Sequence, residues 1–450
     1  MPEILTKIGK AFEGWDTWVL KSGIVKNDPG EWGNEPAESP TKVIRSTNFT
    51  NEGLLNLENV ALRKISDDKI NELSLKENEI IIERSGGSNN QPVGRIGFID
   101  SIIDDENFIF ANFIQRISLS KEYSSKYVYY CLQQLYEMGV TVSMQYQTTG
   151  IRNLDFKLYL RSILPKPPLP EQRAIASVLS KVDDAIAATK KTIAKAERLK
   201  KALMQNLLTG KLKPDGTRRN EDEFYTDEKF GKVPIGWEVK KVKDCFEFFP
   251  TSSYSRSKLT DQGECMYVHY GDIHTKFYCF IDVQYSQLPF VTFEMGEKYT
   301  KVKEGDLIMA DASEDYDGVG KCVEVKNIND VKIISGLHTL HLRDKSDLFV
   351  NGYKGYMLNH EKVRNSILRT ATGIKVYSVS KSSLANILLP VPPKEEQIFI
   401  AKRIDTMNNS IQAKELKIQK LERLKKALMQ NLLTGKKRLK AEYIQGFSNG

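Results

Sequence analysis

Residues 197–211 read ERLKKALMQNLLTGK, and residues 422–436 read the same fifteen letters. The offset is 225 and extends backwards without a gap. Leu164-Pro165-Lys166-Pro167-Pro168 aligns with Leu389-Pro390-Val391-Pro392-Pro393, and Gln172 with Gln397. A repeat of this length decides the architecture before any other feature. Each copy reads as one long helix. Prolines precede it, Pro170 suits a first helical position, and Glu171 or Glu395-Glu396 fills the first turn. Gly210 and Gly435 supply the stop.

Apolar residues within each copy fall on a heptad. The first has Ile175, Leu179, Val182, Ile186, Ile193, Leu203 and Leu207; the second has Ile400, Ile404, Met407, Ile411, Ile418, Leu421, Leu428 and Leu432. That spacing predicts a coiled coil, paired antiparallel within one chain. About forty residues at 1.5 Å each make a rod of roughly 60 Å. Thr189, Lys200, Lys414 and Lys425 break the seam, and the stripe drifts to Leu199 and Leu424. A seam alone requires only its inward positions to match. Here outward residues match as well: Arg198 with Arg423, Lys201 with Lys426, Gln205 with Gln430, and Asn206 with Asn431. The alternative, inheritance from a duplication, asks nothing of these positions. A second surface presented twice predicts two copies of one partner protein.

At 450 residues the chain is long enough for two or three cored domains. No run approaches the ~18 apolar residues of a membrane span, and the first residues lack a signal-peptide profile. Five scattered cysteines without a CxxC pair fit a reducing cytoplasm and no structural zinc. The net charge of +8 is unevenly spread. Residues 1–163 carry −4 and 212–388 carry −1, whereas 164–211 carry +6 and 389–450 carry +7. Any nucleic-acid contact in the large segments must come from a local basic face.

The reading therefore divides the chain into a first domain over 1–163, a long helix over 164–211, a linker and second domain over 212–388, a second long helix over 389–436, and a basic, flexible tail over 437–450. In the first domain, strands are predicted at 42–45, 79–83 and 108–114, a helix at 122–138, and a loop at 86–92. In the second, Pro234-Ile235-Gly236-Trp237 turns into strands at 266–269, 306–309, 321–325 and 337–342. Both segments close on a related phrase, Thr149-Gly150-Ile151-Arg152 and Thr372-Gly373-Ile374-Lys375.

Catalytic signatures are missing. The Pro-Pro pairs lack the flanking Asn or Asp and the aromatic of an adenine methyltransferase loop, and no GxxxxGK(S/T) phosphate loop occurs. Gly318-Val319-Gly320-Lys321 is too short for one. The five histidines (His269, His274, His338, His341, His360) lack metal spacing. Asp311, Glu314, Asp315 and Asp317 match a calcium loop in composition but not in register. The chain reads as a binder, not an enzyme.

Over essentially its full length the sequence resembles the specificity subunit of type I restriction–modification systems. The paired helix starts (164–172 and 389–397) and the repeated helix ends carry the resemblance. Val43-Ile44-Arg45-Ser46-Thr47-Asn48, Tyr267-Val268-His269-Tyr270-Gly271-Asp272-Ile273, Gly305-Asp306-Leu307-Ile308 and the Pro-x-Gly-Trp turn support it. The first half departs from this pattern, with Phe12-Glu13-Gly14-Trp15 only partly replacing the turn. The resemblance implies an α+β fold: two mixed α/β target-recognition domains separated by two long antiparallel coiled-coil helices, with a pseudo-twofold internal repeat.

It implies that each domain reads half of a split site in double-stranded DNA. Two modification subunits would bring S-adenosylmethionine and adenine-N6 methyl transfer, and restriction motor-nuclease subunits would bring ATP and magnesium. The chain itself would need no cofactor and no membrane, and would work in the cytoplasm. For DNA contact the reading selects Arg45, Asn48, Arg84, Ser85, Asn89 and Arg95 in the first domain, and Tyr254, Arg256, Lys258, His269, Tyr270 and Lys321 in the second. Arg to guanine and Asn to adenine are favoured edge pairings, while lysine more often touches phosphate. The competing reading is a coiled-coil scaffold joining two ligand-binding domains without DNA; a self-sufficient DNA enzyme comes third.

Overall fold

A computed structural model describes residues 5–36, 40–88, 91–100, 108–148 and 150–448. The chain forms two compact units, residues 1–191 with 416–450, and residues 192–415. Four helices carry the architecture: α1 (Ser125–Glu137), α2 (Leu169–Leu208), α3 (Lys354–Asn359) and α4 (Lys394–Leu432). Each unit holds one globular domain, the start of one long helix and the end of the other.

In the first unit, Asp16–Val19 pairs antiparallel with Ile163–Lys166, which brings the two ends of the domain together. The main sheet runs Ile24–Pro29, Ile114–Leu119, Ile80–Glu83, Ile96–Phe98, all antiparallel. Its central strand reads Ile80-Ile81-Ile82 because both faces are covered. Successive side chains point to opposite faces, so Ile80 and Ile82 join α1 and Leu179 in one core. Ile81 joins Val43, Ile44 and Phe110 in another. Thr41–Ile44 and Ile109–Phe110, the source of that second core, pair in parallel.

The second domain repeats the plan. Its sheet runs Phe246–Phe249, Thr339–Asp344, Leu307–Ala310, Cys322–Lys326, Cys279–Asp282. Leu307 and Met309 face the core of α3 and the long helices. Ile308 and Ala310 face the second core, with Val268 and Ile333. Cys265–Val268 and Ile333–Ser335 again pair in parallel. The extra strand is Cys279–Asp282.

The long helices start at Leu169, one residue from the expected Pro170, and at Lys394, so the first five residues of the segments 164–211 and 389–436 lie ahead of them. Residues 163–166 and 388–391 are strands, and the Pro-Pro pairs form the turn into the helix. Pro165 and Pro390 can lie in these strands because each sheet has only two strands, both edges. Gly210 and Gly435 close the helices with φ of +67° and +72°. A Cβ on Gly210 would sit 2.3 Å from Pro234, and one on Gly435 2.6 Å from Phe12. Each glycine thus admits the Trp-bearing segment that opens the domain.

The helix starts are pinned from the side. Glu171, 1% exposed, accepts from the Trp15 indole at 3.1 Å and from Arg438 Nε and Nη2 at 2.9 and 2.8 Å. In the second unit Glu396 accepts from the Trp237 indole at 3.0 Å and from Arg219. Gln172 and Gln397 each donate to a preceding proline carbonyl at 2.9 Å and accept a backbone N–H from their domain. Trp15 therefore does what Trp237 does, despite the missing proline before it.

Two of the three seam lysines are bridges, not faults, while Lys414 bonds Ser410 of its own helix. Lys425 reaches Asp183 on α2 at 2.7 Å, and Tyr130 of α1 donates to the same carboxylate at 2.7 Å. Lys190 meets Glu422 at 3.9 Å, which makes the pairing in this unit antiparallel. In the second unit Lys200 donates to Asn408 at 2.9 Å, Asn408 donates to Tyr356 of α3 at 2.7 Å, and Tyr356 donates to Asp405. The expected flexible tail is docked as far as Phe447, whose carbonyl accepts from Arg173. Arg438 grips Glu171, Leu439 packs on the core, and helix Ala441–Gln445 sets the Tyr443 hydroxyl 3.4 Å from Lys181.

Arg438→Ala strands the buried Glu171 charge with the Trp15 indole as its remaining side-chain donor. It is expected to cost about 1–3 kcal/mol. Amide exchange should quicken over residues 169–176 and the tail while residues 394–404 keep wild-type protection.

Candidate nucleic-acid interface

Two strands of each domain end side by side, and the residues that follow form a polar patch. In the first domain Thr41–Ile44 runs into Arg45-Ser46, and Ile80–Glu83 into Arg84-Ser85. The Arg84 N–H donates to the Phe113 carbonyl and the Arg84 carbonyl accepts from Leu154 N–H, both at 2.8 Å. The half-buried Arg84 guanidinium donates to Gln115 at 2.8 Å and lies over the Phe156 ring at 5.6 Å. Gln115 donates onward to Asn27 at 2.6 Å. Ser85 donates to Asn153 at 2.6 Å, and Ser46 to the Ser85 carbonyl at 3.1 Å. Asn27, Ser46, Gln115 and Asn153 were not among the sequence candidates. Asn153 was within reach, because it directly follows the Thr-Gly-Ile-Arg phrase.

Two sequence candidates are turned inward. Asn48 is 3% exposed, donates to the carbonyls of Asn56 and Asn59, and accepts from Arg45 N–H. Its amide is spent on the loop. Arg95 is 5% exposed and bidentate to Glu83 at 2.6 and 2.8 Å, with further bonds to the Phe49 and Ser46 carbonyls. Burial pushes the Glu83 carboxyl above the usual carboxylate range, against the pull of the Arg95 guanidinium. These two residues brace the Arg45-Ser46 turn instead of facing a ligand. Asn89 lies outside the described residues.

The second domain uses the same backbone frame. Cys265–Val268 runs into His269-Tyr270, and Leu307–Ala310 into Asp311-Ala312. Asp311 N–H donates to the His338 carbonyl at 3.1 Å, and its carbonyl accepts from Val379 N–H at 2.8 Å. Asp311 and His338 thus occupy the places of Arg84 and Phe113. Tyr270 packs against His269 at 4.6 Å and meets His274 and His338 edge-on at 5.8 and 5.3 Å. Burial raises the Asp311 carboxyl, opposed by His338, whose Nδ1 is 3.6 Å away. His269 is 7% exposed and accepts from Gly271 N–H; burial and then the Arg256 charge hold its pKa below the ordinary imidazole value. It caps a helix, so Tyr270 and His338 are the more available rings.

Arg256 and Lys276 both bond the fully buried Asp272 at 2.9 Å, while Arg256 keeps half its side chain exposed. They line a cavity of about 740 Å³ with Leu259, Met266 and Phe290. Lys258 is exposed and Lys321 half-buried beside Ala310. Tyr254 is largely structural: its carbonyl accepts from Tyr267 at 2.7 Å and its ring meets Tyr299 edge-on at 5.8 Å.

On the helix ends, Arg198, Lys201 and Gln205 are exposed, and so are Arg423, Lys426 and Gln430. Leu199 and Leu424 are 60% and 47% exposed. Asn206 and Asn431 are half-buried and donate back to Ala202 and Ala427 of their own helices. Among the described residues no group of side chains could hold a metal ion, and no helix is long and apolar enough to cross a membrane.

The model of the type I restriction modification DNA specificity domain matches residues 29–198 and again 234–423. Over 302 residues the chain is 27% identical to the type I restriction enzyme MjaVIII specificity subunit of Methanocaldococcus jannaschii, covering 66% of this chain and 67% of that one. A putative MjaX specificity subunit of the same organism is 26% identical over 62% of this chain and 60% of the relative. The EcoKI specificity subunit of Escherichia coli is 21% identical over 46% of this chain and 43% of its own length. Among solved structures, the S subunit of a type I restriction-modification system from M. genitalium superposes with a TM-score of 0.55 at 14% identity, covering 96% of this chain and 99% of that one. A chain from a study of complex assembly in the type I R-M system gives 0.54 at 15%, covering 95% and 99%. These structures share the fold: mixed domains and long helices, repeated.

Arg95→Ala is expected to act on folding, at about 3–5 kcal/mol, because it leaves a buried carboxylate unpaired. Arg84→Ala should leave the melting temperature near wild type and weaken duplex binding by about 1–3 kcal/mol in one half-site. Thermal melts and gel-shift titrations of the assembled complex separate the two outcomes.

Proposed function

Because the chain belongs to the type I restriction–modification DNA specificity family, we propose that each domain reads one half of a split duplex site, while partner subunits supply all chemistry. The observation that carries this is the shared frame with exchanged side chains. The same two backbone bonds hold Arg84 in one domain and Asp311 in the other. Arginine suits guanine O6 and N7, whereas a carboxylate accepts from cytosine N4. Domains built alike but armed differently suit two different half-sites. In the first, Arg45, Arg84, Ser85 and Asn153 face the bases; in the second, Tyr270, His338 and Asp311 do, with Arg256, Lys258, Lys276 and Lys321 toward phosphate.

The repeated helix ends are the docking surface for two modification subunits. Arg198, Leu199, Lys201 and Gln205 make one contact, and Arg423, Leu424, Lys426 and Gln430 the other. Those subunits bring S-adenosylmethionine and transfer its methyl group to adenine N6; motor-nuclease subunits bring ATP and magnesium. The division of labour follows from geometry. A base inside a duplex must be flipped out to be methylated, so the reader holds the strand while another protein works on it. The helices set the gap, which in this reading is not read at all.

Charge reversal at Arg198 and Lys201 should lower the stoichiometry in native mass spectrometry from two modification subunits to one. The same change at Arg423 and Lys426 should remove the other, and the four together both.

Replacing residues 212–388 with a foreign recognition domain should change one half of the methylated motif and keep the gap. Four helical residues inserted at 209–211 add about 6 Å, enough for roughly one or two base pairs at 3.4 Å each. Methylome sequencing of hosts carrying either form tests this. A swap that altered both halves, or an insertion that altered base identity, would defeat the proposal.

A further inference from the structure

The phrase Thr-Gly-Ile-Arg/Lys is repeated in domains whose base-facing side chains differ. In the first domain Ile151–Leu154 forms a hairpin with Gln145–Thr148 and also pairs with Ser85–Gly87. Ile151 is 43% exposed and Tyr146 53%. In the second, Tyr377–Ser378 pairs with Ala312–Ser313. Thr372 and Ser378 exchange two backbone bonds of 2.9 and 2.8 Å, closing a tight tip. Gly373 has φ +127°, and a Cβ there would lie 2.0 Å from the Val376 carbonyl, so the tip needs glycine. That tip holds Ile374 out at 92% exposure, the highest among the large apolar side chains of the described residues, beside exposed Lys375 and Val376.

The location indicates what covers these isoleucines. Each tip strand is bonded directly to a strand-end residue of the candidate interface, through Leu154 to Arg84 and through Val379 to Asp311. A cation follows each isoleucine, Arg152 or Lys375. A feature kept alike on two differently armed domains must meet something that does not depend on base sequence. Stacked bases between phosphate rails offer that, an apolar layer flanked by negative charge. Apolar side chains entering such steps partly unstack them, with neighbouring cations on the backbone.

We propose that Ile151 and Ile374 are wedges, one for each half-site, that enter the base stack and ease extrusion of the adenine to be methylated. This rests on the DNA-reading proposal above. Ile374 makes no core contact, so Ile374→Ala should leave the fold intact, and Ile374→Leu keeps the wedge.

The test uses the full chain reconstituted with its modification subunits. The probe is a duplex bearing the motif mapped by methylome sequencing, with 2-aminopurine at the target adenine of one half at a time. Ile374→Ala should cut the fluorescence rise in the half that responds to replacement of residues 212–388 and, on the same duplex with adenine at the target, slow methylation of that half about tenfold. Ile151→Ala should do so in the other half, and Ile374→Leu should restore the signal. Wild-type fluorescence and rates in both alanine variants would overturn the wedge. So would loss of a modification subunit in native mass spectrometry with duplex affinity unchanged, which would assign the tip to a protein contact. A wild-type complex that retains no duplex would instead sink the DNA reading itself.

Discussion

A carboxylate in the first turn of each long helix, Glu171 buried and Glu396 half-buried, is the constraint on which the two units depend. Burying a charge is costly unless every lone pair finds a donor, and Glu171 and Glu396 each find an indole N–H and a guanidinium. Each acid sits at the start of one helix and takes its donors from two other stretches, the start of a domain and the chain just past the end of the other helix. Satisfying one acid therefore fixes all three. The glycine stops serve the same junction, since a side chain at Gly210 or Gly435 would strike the Trp-bearing segment. What reads as helix punctuation is the seat for the next domain.

Much of this was legible. The identical fifteen residues announce two helices, and the predicted strands fall within a few residues of those observed, because alternating or continuous apolar runs report which faces are covered; the exception is 108–114, which a turn divides between Ile109–Phe110 of one sheet and Ile114–Leu119 of another. Reading failed where a polar residue has two plausible fates. Lys200 and Lys425 looked like faults because a heptad counts apolar positions and cannot see an Asp or Asn across the seam. Asn48 and Arg95 looked like ligand contacts because a polar residue in a loop beside a strand looks the same whether it faces a ligand or braces a turn. Only the partners, Glu83 and the carbonyls of residues 46, 49, 56 and 59, tell these apart. The tail was misjudged by composition: its basic character serves a buried acid.

The two interfaces show how one fold can carry two specificities. The strand ends are held by matching backbone bonds, so exchanging Arg84 for Asp311, or Phe113 for His338, changes chemistry without moving the frame. The first patch is cationic and neutral-polar, ordered by the Asn27, Gln115 and Arg84 row. The second is aromatic and partly acidic, with positive charge displaced to the Arg256 and Lys276 pair. Recognition lives in the side chains, and the scaffold around them is common property.

The makeup of the first unit has a consequence for the order of synthesis. Its core includes Met429, Leu432 and Leu433, all 5% exposed or less, and the Tyr127 hydroxyl donates to the Leu433 carbonyl. The second unit is one continuous stretch, 192–415. The domain translated first is therefore the one completed last. At ordinary elongation rates of about 5–20 residues per second, it waits on the order of ten seconds or more for those side chains. During that interval Leu179, Ile175 and the face of α1 lack part of their cover, so the leading half of the nascent chain is where chaperone protection matters most.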